Sequence, residues 1–259
     1  MKPFPNLQAN VNPSNPVSLV TGASSGIGQA TARKLASEGH RLVITARRLD
    51  ALQQLATTLG SDVLVVQADM QQVGDIERLA QQAHARFGRV DVLVNNAGVG
   101  EGHPAYAASD AQINLIIGTN FVAPVQLARY IVPGMMERKR GHVINIGSVA
   151  SYLAVPTSSL YASSKHALKG WNDALRRELR NTGVQVSLVC PGFIRTPMTT
   201  GVKAPMPGPE AVANVISSLI KRPRREVFVP GIYWWMTRLA QLSPPLTDFL
   251  LARINRFEV

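Results

Sequence analysis

The chain has 259 residues, of which 46% are hydrophobic and 17% charged, so it can bury a large core and its composition argues against disorder. The formal net charge is +11, which suits an anionic cofactor, an anionic membrane surface or nucleic acid. Most basic residues are dispersed, and the clusters Arg138–Arg140 and Lys221–Arg225 are not interleaved with aromatic residues. We therefore expect no nucleic-acid partner and interpret most of these cations as solvated helix ends and loops.

Targeting and metal-binding signals are not apparent in the sequence. Residues 1–15 form a polar, proline-bearing tail without the apolar stretch of a signal peptide, and we expect no transmembrane helix. The single cysteine, Cys190, is consistent with a reducing compartment and a cytoplasmic protein, and we interpret it as a core residue. The five histidines lack metal-ligand spacing, so no metal site is expected.

From Val17 onward, strand-like runs alternate with helical patterns, which is typical of a parallel sheet covered on both faces. The predicted strands are 17–21, 41–46, 62–67, 91–95, 142–147, 184–190 and 226–229. The predicted helices are 26–38, 49–59, 72–87, 109–117, 119–138, 159–181 and 209–220. We predict a single-domain, doubly wound α/β fold of Rossmann type over 16–231, preceded by the tail 1–15 and followed by a helical extension, 232–259.

The first strand-to-helix junction is rich in glycine and small residues. It contains Gly22, Ser24, Ser25, Gly26, Ile27 and Gly28 in a G-x-x-x-G-x-G spacing. Glycines permit a tight turn and close approach of a pyrophosphate, toward which the following helix points its amides. An ordinary tight loop is the alternative, but the position between a first strand and a helix favours a dinucleotide site.

The end of the second predicted strand indicates which dinucleotide is bound. An NAD site usually has an acidic residue there, whereas this chain has Arg47 and Arg48. Arginine presents donors suited to a phosphate, so NADP(H) is the expected cofactor.

Residues at the carboxyl ends of later strands are further candidates, because ligands of such sheets lie there. Small Ala97 and Gly98 leave room for a flat ring, while Asn95 and Asn96 could instead satisfy backbone groups. The sixth strand leads into Pro191 and Gly192, and the segment 197–209 that follows is expected to form a mobile lid.

A proline in the helix predicted at 119–138 draws attention to Asn120. Pro124 has no amide hydrogen for the Asn120 carbonyl four residues earlier, so the helix should bend and that carbonyl needs another partner, such as water. The bend could be purely structural, or the water could belong to a proton path.

The strongest catalytic candidates are Ser148, Tyr161 and Lys165. Ser148 ends the fifth predicted strand, and Tyr161 lies four residues before Lys165 on one helix face. A neighbouring ammonium is expected to lower the tyrosine pKa from about 10 and make the phenol a usable acid and base.

Taken together, these motifs closely resemble the short-chain dehydrogenase/reductase family from about Val17 to Thr196. By resemblance, Ser148 holds the substrate oxygen, Tyr161 exchanges its proton, Lys165 lowers the tyrosine pKa and binds the nicotinamide ribose, and Asn120 carries a water relay. The resemblance also implies cofactor contacts by the glycine turn, Arg47, Asp69, Asn96, Gly98, Ile194 and Thr196. One departure is Ser25, where many NADP-preferring members have a basic residue, so the preference depends on Arg47 with Arg48.

The resemblance implies an oxidoreductase that interconverts an alcohol and a ketone or aldehyde by hydride transfer. We expect an apolar substrate, such as a lipid-, steroid- or retinoid-like carbonyl compound, and a homodimer or homotetramer paired through helices 119–138 and 159–181. The alternatives are a non-catalytic dinucleotide sensor of the same fold and a nucleic-acid binder. The sensor has little use for all four of Asn120, Ser148, Tyr161 and Lys165, and the nucleic-acid binder does not explain the glycine turn.

The extension 232–259 begins with adjacent Trp234 and Trp235 and continues into a helix opened by Pro244. In that helix, Asp248, Arg253 and Arg256 lie largely off an apolar stripe. The stripe consists of Leu246, Phe249, Leu250, Ile254 and Phe257. We favour a role in shaping an entrance for hydrophobic substrates or packing on a partner subunit. Weak contact with a membrane surface is the alternative.

Overall fold

The computed structural model describes residues 15–60, 62–100 and 105–254. Within these ranges, seven parallel strands form one sheet in the order β3-β2-β1-β4-β5-β6-β7. They are β1 (Val17–Thr21), β2 (Arg41–Ala46), β3 (Val63–Gln67), β4 (Val92–Asn95), β5 (Gly141–Ile146), β6 (Val184–Pro191) and β7 (Glu226–Val229). The strand order reverses direction between β1 and β4, which opens a crevice at the carboxyl ends of these strands.

Helices cover both faces of the sheet. They are α1 (Gly26–Ser37), α2 (Leu49–Leu59), α3 (Val73–Phe87), α4 (Asp110–Ile117), α5 (Ala123–Glu137), α6 (Ser159–Glu178), α7 (Pro209–Lys221), α8 (Ile232–Leu242) and α9 (Pro244–Ile254). One apolar cluster joins the sheet to α1, α2 and α7, and a second joins it to α3 and α5. All five residues of β1 are buried, as expected for a strand covered on both faces.

The predicted doubly wound parallel sheet is confirmed, and the predicted strands and helices are present with only small shifts at most of their ends. The exception is the helix predicted at 119–138, because Gly118–Val122 forms a π-helical turn that joins α4 to α5. In this turn the Ala123 amide bonds the Gly118 carbonyl, five residues back. The wide turn immediately precedes Pro124, which cannot donate to Asn120.

This turn also corrects the expectation that no segment is long and apolar enough to cross a membrane. It fuses two predicted helices into one run of 28 residues, Asp110–Glu137, whose most apolar window has a mean hydropathy of 1.4. Half of that window is buried inside the protein. The buried residues, such as Leu127 and Ile131, belong to the apolar cluster beneath the sheet, which accounts for the apolar composition of this helix.

The extension after β7 forms two helices, and Pro244 opens the second as predicted. Helix α8 packs on β7, and α9 packs on α8. Residues 1–14 and 255–259, including Arg256 and Phe257 of the predicted stripe, lie outside the described residues, as do the side chains of Arg253 and Ile254.

Candidate active site

A cleft of about 450 Å³ lies at the carboxyl ends of the central strands. All the site residues predicted from the sequence line this cleft except Gly28 and Asn120, which lie directly behind its wall. The topology therefore brings together side chains that are as much as 174 residues apart in the sequence, from Gly22 to Thr196.

The glycine turn has the backbone conformation and close packing that the sequence predicts. Gly22 has a φ of +66°, a region that side-chain-bearing residues rarely adopt. A Cβ on Gly28 would lie 2.3 Å from the Gly22 carbonyl oxygen, so only glycine lets α1 pack this closely on β1. In the described structure, the Ser25 side chain makes no capping bond to the first amides of α1. Those amides are therefore available to an anion in the cleft.

Asn96 and Thr21 hold the glycine turn against the end of β4. The Asn96 side-chain amide donates to the carbonyls of Thr21 and Gly22 at 2.8 and 3.3 Å. The Thr21 hydroxyl oxygen accepts from the backbone amides of Asn96 and Ala97, each at 2.9 Å. Asn96 thus has the structural role that the sequence left open, and Thr21 is a supporting residue that no sequence motif indicated.

The end of β2 contributes two cationic side chains to the cleft. Arg48 donates from Nη2 to the carbonyl and hydroxyl oxygens of Ser24, both at 3.2 Å, which ties it to the glycine turn. Arg47 is exposed and lines the same wall. Asp69 lines the cleft at the end of β3, where its carboxylate accepts from the Gln71 amide at 3.0 Å.

Asn120 acts as a clamp between the loop after β4 and helix α6. Its side chain accepts from the Val99 amide at 2.8 Å and donates to the Val99 carbonyl and the Ser164 hydroxyl at 2.9 and 3.0 Å. Asn120 is fully buried and does not line the cleft. The structure assigns it this clamp, and the water relay implied by resemblance stays a prediction.

Lys165 lies at the bottom of the cleft. Its Nζ donates to the Ile146 carbonyl at 2.9 Å, at the end of β5, and lies 5.7 Å from the centre of the Tyr161 ring. A Cβ on Gly98 would be 3.6 Å from Nζ and 3.3 Å from Asn120 Oδ1. Glycine at this position therefore leaves the space above the ammonium open to a ligand.

Ser148 and Tyr161 face each other across the end of β5 and the first turn of α6. The Ser148 hydroxyl accepts from the Ala150 amide at 3.1 Å and is also hydrogen-bonded to the Tyr161 side chain. Behind them lies Cys190, which is fully buried, as its position in a strand predicts.

The pKa of Tyr161 is shifted upward, whereas the sequence led us to expect a downward shift. Burial raises it above the ordinary value of 10, and the hydrogen bond with Ser148 only partly offsets this effect. Burial also lowers the pKa of Lys165 to about 8, so its ammonium is charged at neutral pH but bonded to Ile146. A charged Cys190 thiolate would raise the tyrosine pKa further, but burial raises the thiol's own pKa and keeps it neutral.

Several residues of the cleft were not singled out by the sequence. Pro197, Met198 and Thr199 form a turn at its mouth, where the Met198 side chain would contact a Cβ on Gly100 at 3.8 Å. This turn is the start of the predicted lid 197–209, and its mobility stays a prediction. Few sequence signals mark such residues, because their position depends on how the loops after β4 and β6 meet.

Behind the site, a chain of buried amides links β4, β5 and α6. Asn95 donates to Asn145 at 2.8 Å, and Asn145 donates to Asn172 at 2.9 Å. Asn172 lies two turns after Lys165 on α6. These hydrogen bonds therefore fix the position of α6 relative to β5. Of these three residues only Asn95 was a candidate from the sequence, because its partners are distant in sequence.

Comparison with known proteins places this geometry in a family. A sequence model of the short chain dehydrogenases matches residues 16–206. The ketoacyl reductase HetN of Nostoc sp. is 37% identical over 246 residues, covering 89% of this chain and 86% of the relative. The chain belongs to the short-chain dehydrogenase/reductase family. The resemblance noted in the sequence is thereby confirmed.

Solved structures of other family members share the fold. A short-chain dehydrogenase/reductase of Burkholderia phymatum in complex with NAD has a TM-score of 0.84 at 28% identity, covering 90% of this chain and 95% of its own. A metagenomic short-chain oxidoreductase in complex with NADP has a TM-score of 0.74 at 38% identity, covering 82% and 96%. The family is one of oxidoreductases that use a nicotinamide dinucleotide, and these two structures contain different dinucleotides.

The residues present in the cleft fit such a dinucleotide. The amides of α1 and the left-handed Gly22 provide a backbone cradle for phosphates, and Arg47 and Arg48 add positive charge beside it. Gly98 leaves space above the Lys165 ammonium, where a ribose with hydroxyl acceptors could bind. The donors and the small residues of the cleft therefore match an anionic cofactor with a flat ring.

Proposed function

We propose that this short-chain dehydrogenase/reductase interconverts an alcohol and a ketone or aldehyde on an apolar substrate, with NADP(H) as its cofactor. The observation that carries the proposal is the meeting of Ser148, Tyr161 and Lys165 in one cleft beside the glycine turn. When bound, the cofactor supplies or accepts the hydride, and the protein supplies orientation and the proton.

The preference for NADP(H) rests on the end of β2. Arg47 and Arg48 line the cleft there, and no carboxylate follows β2 directly to bond a ribose hydroxyl. Arg48 is positioned by its two bonds to Ser24, while Arg47 remains exposed on the cleft wall. Two guanidinium groups at this position suit a 2′-phosphate and leave a bare ribose without an acidic partner.

The proton chemistry follows from the electrostatics of the three side chains. Because burial raises the pKa of Tyr161, its hydroxyl is protonated at neutral pH and can donate to the oxygen of a ketone undergoing reduction. Ser148, hydrogen-bonded to Tyr161, can donate to the same oxygen. The Lys165 ammonium, whose Nζ lies 5.7 Å from the centre of the Tyr161 ring, then stabilises the phenolate that remains.

The apolar substrate class is supported by the mouth of the cleft and by one relative. Met198 lines the cleft and is 56% exposed, while Phe193, between the cleft residues Gly192 and Ile194, is 54% exposed, and Val155 is 40% exposed on the loop after β5. HetN is named a ketoacyl reductase. Straight-chain 3-oxoacyl thioesters are therefore the first substrates to test, followed by cyclic hydrophobic ketones.

The first contact of the extension with the site is made by Tyr233. A Cβ on Gly192, which lines the cleft, would lie 2.0 Å from the Tyr233 ring, so this ring packs directly behind the cleft wall. The favoured role of the extension, shaping a hydrophobic entrance, is therefore proposed for Tyr233 at the start of α8. The other described apolar side chains of α8 and α9 do not line the cleft.

Steady-state kinetics with the purified full chain test the proposal. NADPH consumption is measured with 3-oxoacyl thioesters of increasing chain length, cyclic ketones and acetone, alongside NADPH binding by fluorescence. We expect turnover whose kcat/KM rises with substrate hydrophobicity. Tight NADPH binding without turnover on any carbonyl compound would instead support the non-catalytic sensor.

We also propose a homodimer or homotetramer that pairs through α5 and α6. Val122, directly before α5, and Met136, near its end, are 37% and 41% exposed within one chain, although the helix is otherwise rich in buried residues. Sedimentation velocity at micromolar concentration tests this assembly, and a monomer would refute it.

A further inference from the structure

Helices α8 and α9 present a large apolar surface to solvent. We call this the tail surface, and its members are between 51% and 81% exposed: Trp235, Leu239, Leu242, Leu246, Phe249 and Leu250. The two helices pack on each other, so these side chains belong to one region. Exposed apolar regions of this size on a folded protein mark binding surfaces.

The contacts of α8 show where the tail surface lies on the fold. Near its start, the Tyr233 ring packs on Gly192, after the carboxyl end of β6. One and a half turns later, Arg238 Nη2 lies 2.9 Å from the Glu226 carboxylate, on the first residue of β7. Helix α8 therefore runs antiparallel to β7, along the edge of the sheet.

An arginine-lined groove lies beside the start of β7. We call it the arginine groove; it has a volume of about 950 Å³ and lies between the end of α6, the start of β6 and the loop before β7. Five arginines line it: Arg176, Arg177, Arg180, Arg224 and Arg225. No carboxylate among the described residues lines it.

Few of these cations are neutralised. Arg225 pairs with Asp173 at 3.1 Å, and it is the only one of the five with a carboxylate partner in the described part of the chain. Arg176 Nε is buried without a hydrogen-bond partner among the described residues. The groove therefore carries a concentrated positive charge that favours binding of an external anion.

We propose that the tail surface and the arginine groove together dock the protein on an anionic lipid bilayer. The two features adjoin at the β7 edge of the sheet, because Arg225 of the groove directly precedes Glu226, to which Arg238 of α8 is bonded. In such a pose the leucines, Phe249 and Trp235 enter the boundary between headgroups and acyl chains, and the guanidinium groups bond lipid phosphates.

Other binding partners would explain either the exposed apolar side chains or the arginine groove, but not both. An acidic soluble protein would neutralise the arginines but leave the apolar side chains in water. A second copy of the chain would cover the apolar side chains but bring two arginine grooves of the same charge close together. The tryptophan pair also suits an interface, because Trp234 stacks on Arg238 at 5.6 Å and meets Trp235 edge-on at 4.6 Å.

The docking surface leaves the cleft free. None of the residues of the tail surface or of the arginine groove lines the cleft. Docking and catalysis are therefore separable, and vesicle binding tests this inference whatever the substrate of the cleft is.

Vesicle co-sedimentation of the full chain is the test. Two vesicle types are compared: phosphatidylcholine alone, and an equal mixture of phosphatidylcholine and phosphatidylglycerol. We expect binding about tenfold tighter to the anionic vesicles, falling as salt is added. No binding to either vesicle, or equal binding to both, would overturn the proposal.

Paired variants separate the two parts of the surface. Trp235→Ser with Leu242→Ser should weaken binding about tenfold, while Val73→Ser with Tyr106→Ser, at exposed apolar positions elsewhere, should not. Arg180→Glu should weaken binding to anionic vesicles only, while Arg33→Glu on α1, with the same change in net charge, should have a smaller effect.

Circular dichroism confirms that each variant is folded, and sedimentation velocity monitors its assembly. A tail-surface variant that changes the oligomeric state and leaves vesicle binding unchanged would show that a second copy covers this surface. Equal effects of Arg180→Glu and Arg33→Glu would show that overall charge, rather than the arginine groove, governs binding. Either result would overturn the proposal as stated.

Discussion

The two ends of the sheet use charge in opposite ways. At the carboxyl ends, the charged Lys165 is buried and bonded to a backbone carbonyl, and Asn120 is held by three hydrogen bonds. At the amino ends, the arginine groove is open to solvent, and one of its five arginines has a carboxylate partner among the described residues. We therefore expect catalysis in the cleft to depend on the exact positions of its side chains, and binding at the groove to depend on its total charge.

This difference predicts different responses to mutation. Removing one atom from the cleft should abolish a chemical step, because buried groups act only in a fixed arrangement. Removing one charge from the groove should reduce binding gradually and in a salt-dependent way, since exposed charges act together and are screened.

The largest effect is expected for Tyr161→Phe. The ring keeps its packing while the proton-carrying oxygen is lost, so kcat should fall by about 10²–10⁴ with NADPH affinity nearly unchanged. Tyr106→Phe, at an exposed position, is the matched control and should be neutral. Lys165→Ala should reduce both turnover and cofactor binding. Substantial turnover by the Tyr161 variant would rule out the proposed acid.

A smaller effect is expected for Arg47→Asp. The exchange replaces a phosphate partner by a partner for a ribose hydroxyl, and charge-assisted bonds contribute roughly 1.5–3 kcal/mol each. The ratio of kcat/KM for NADPH over NADH should therefore fall at least about tenfold. Arg33→Asp on α1 controls for net charge. An unchanged ratio would show that Arg47 is only a surface residue.

At the amino end of β5, buried His142 predicts acid sensitivity. Burial lowers its pKa from 6.5 to about 4, so the unfolded chain takes up a proton before the folded one does as pH falls. Between about pH 7 and 5 this residue should lower the free energy of unfolding by about 2 kcal/mol.

The measurement for His142 is the slope of the unfolding free energy against pH, from denaturant titrations. His142→Gln should flatten this slope. Part of the slope should remain, because burial also lowers the pKa of His40. The carboxyl of Glu38 titrates below this window, because hydrogen bonds with Ser217 and Lys34 outweigh burial and hold its pKa near 2. An unaltered slope in the variant would contradict the account.

The smallest effect is expected for Tyr233→Ala at the cleft wall. Loss of the ring behind Gly192 should raise KM for bulky apolar ketones by about fivefold, equivalent to roughly 1 kcal/mol of lost apolar contact. KM for acetone should change little. Equal losses for large and small ketones would reject a role of Tyr233 in shaping the entrance.

Local motifs made much of this molecule predictable. The glycine turn, the Tyr161–Lys165 spacing and the strands are encoded within short windows, and the structure places them as expected. The arginine groove was missed, because Arg176–Arg180 and Arg224–Arg225 meet only once α6, β6 and β7 are arranged in the sheet. The sign of the Tyr161 pKa shift was wrong for the same reason, since burial is a property of the packed structure.

Clamping residues were likewise difficult to identify from the sequence. Thr21, Asn145 and Asn172 have partners distant in sequence, and their residue types are common in loops and on helices. Asn120 was found through Pro124 and the family resemblance, yet the structure shows its side chain bonded to Val99 and Ser164. Hydrogen-bond partners depend on contacts between elements, which patterns within one element do not encode.

The most direct test of the central claim follows a deuterium atom. NADPH labelled at either face of nicotinamide C4 is incubated with the full chain and a 3-oxoacyl thioester or hydrophobic ketone, and the alcohol is examined by mass spectrometry. We predict that deuterium from one labelled face, and not the other, is found on the carbinol carbon, and that the Tyr161→Phe chain produces almost no alcohol. Alcohol that forms without deuterium from either label would contradict the account.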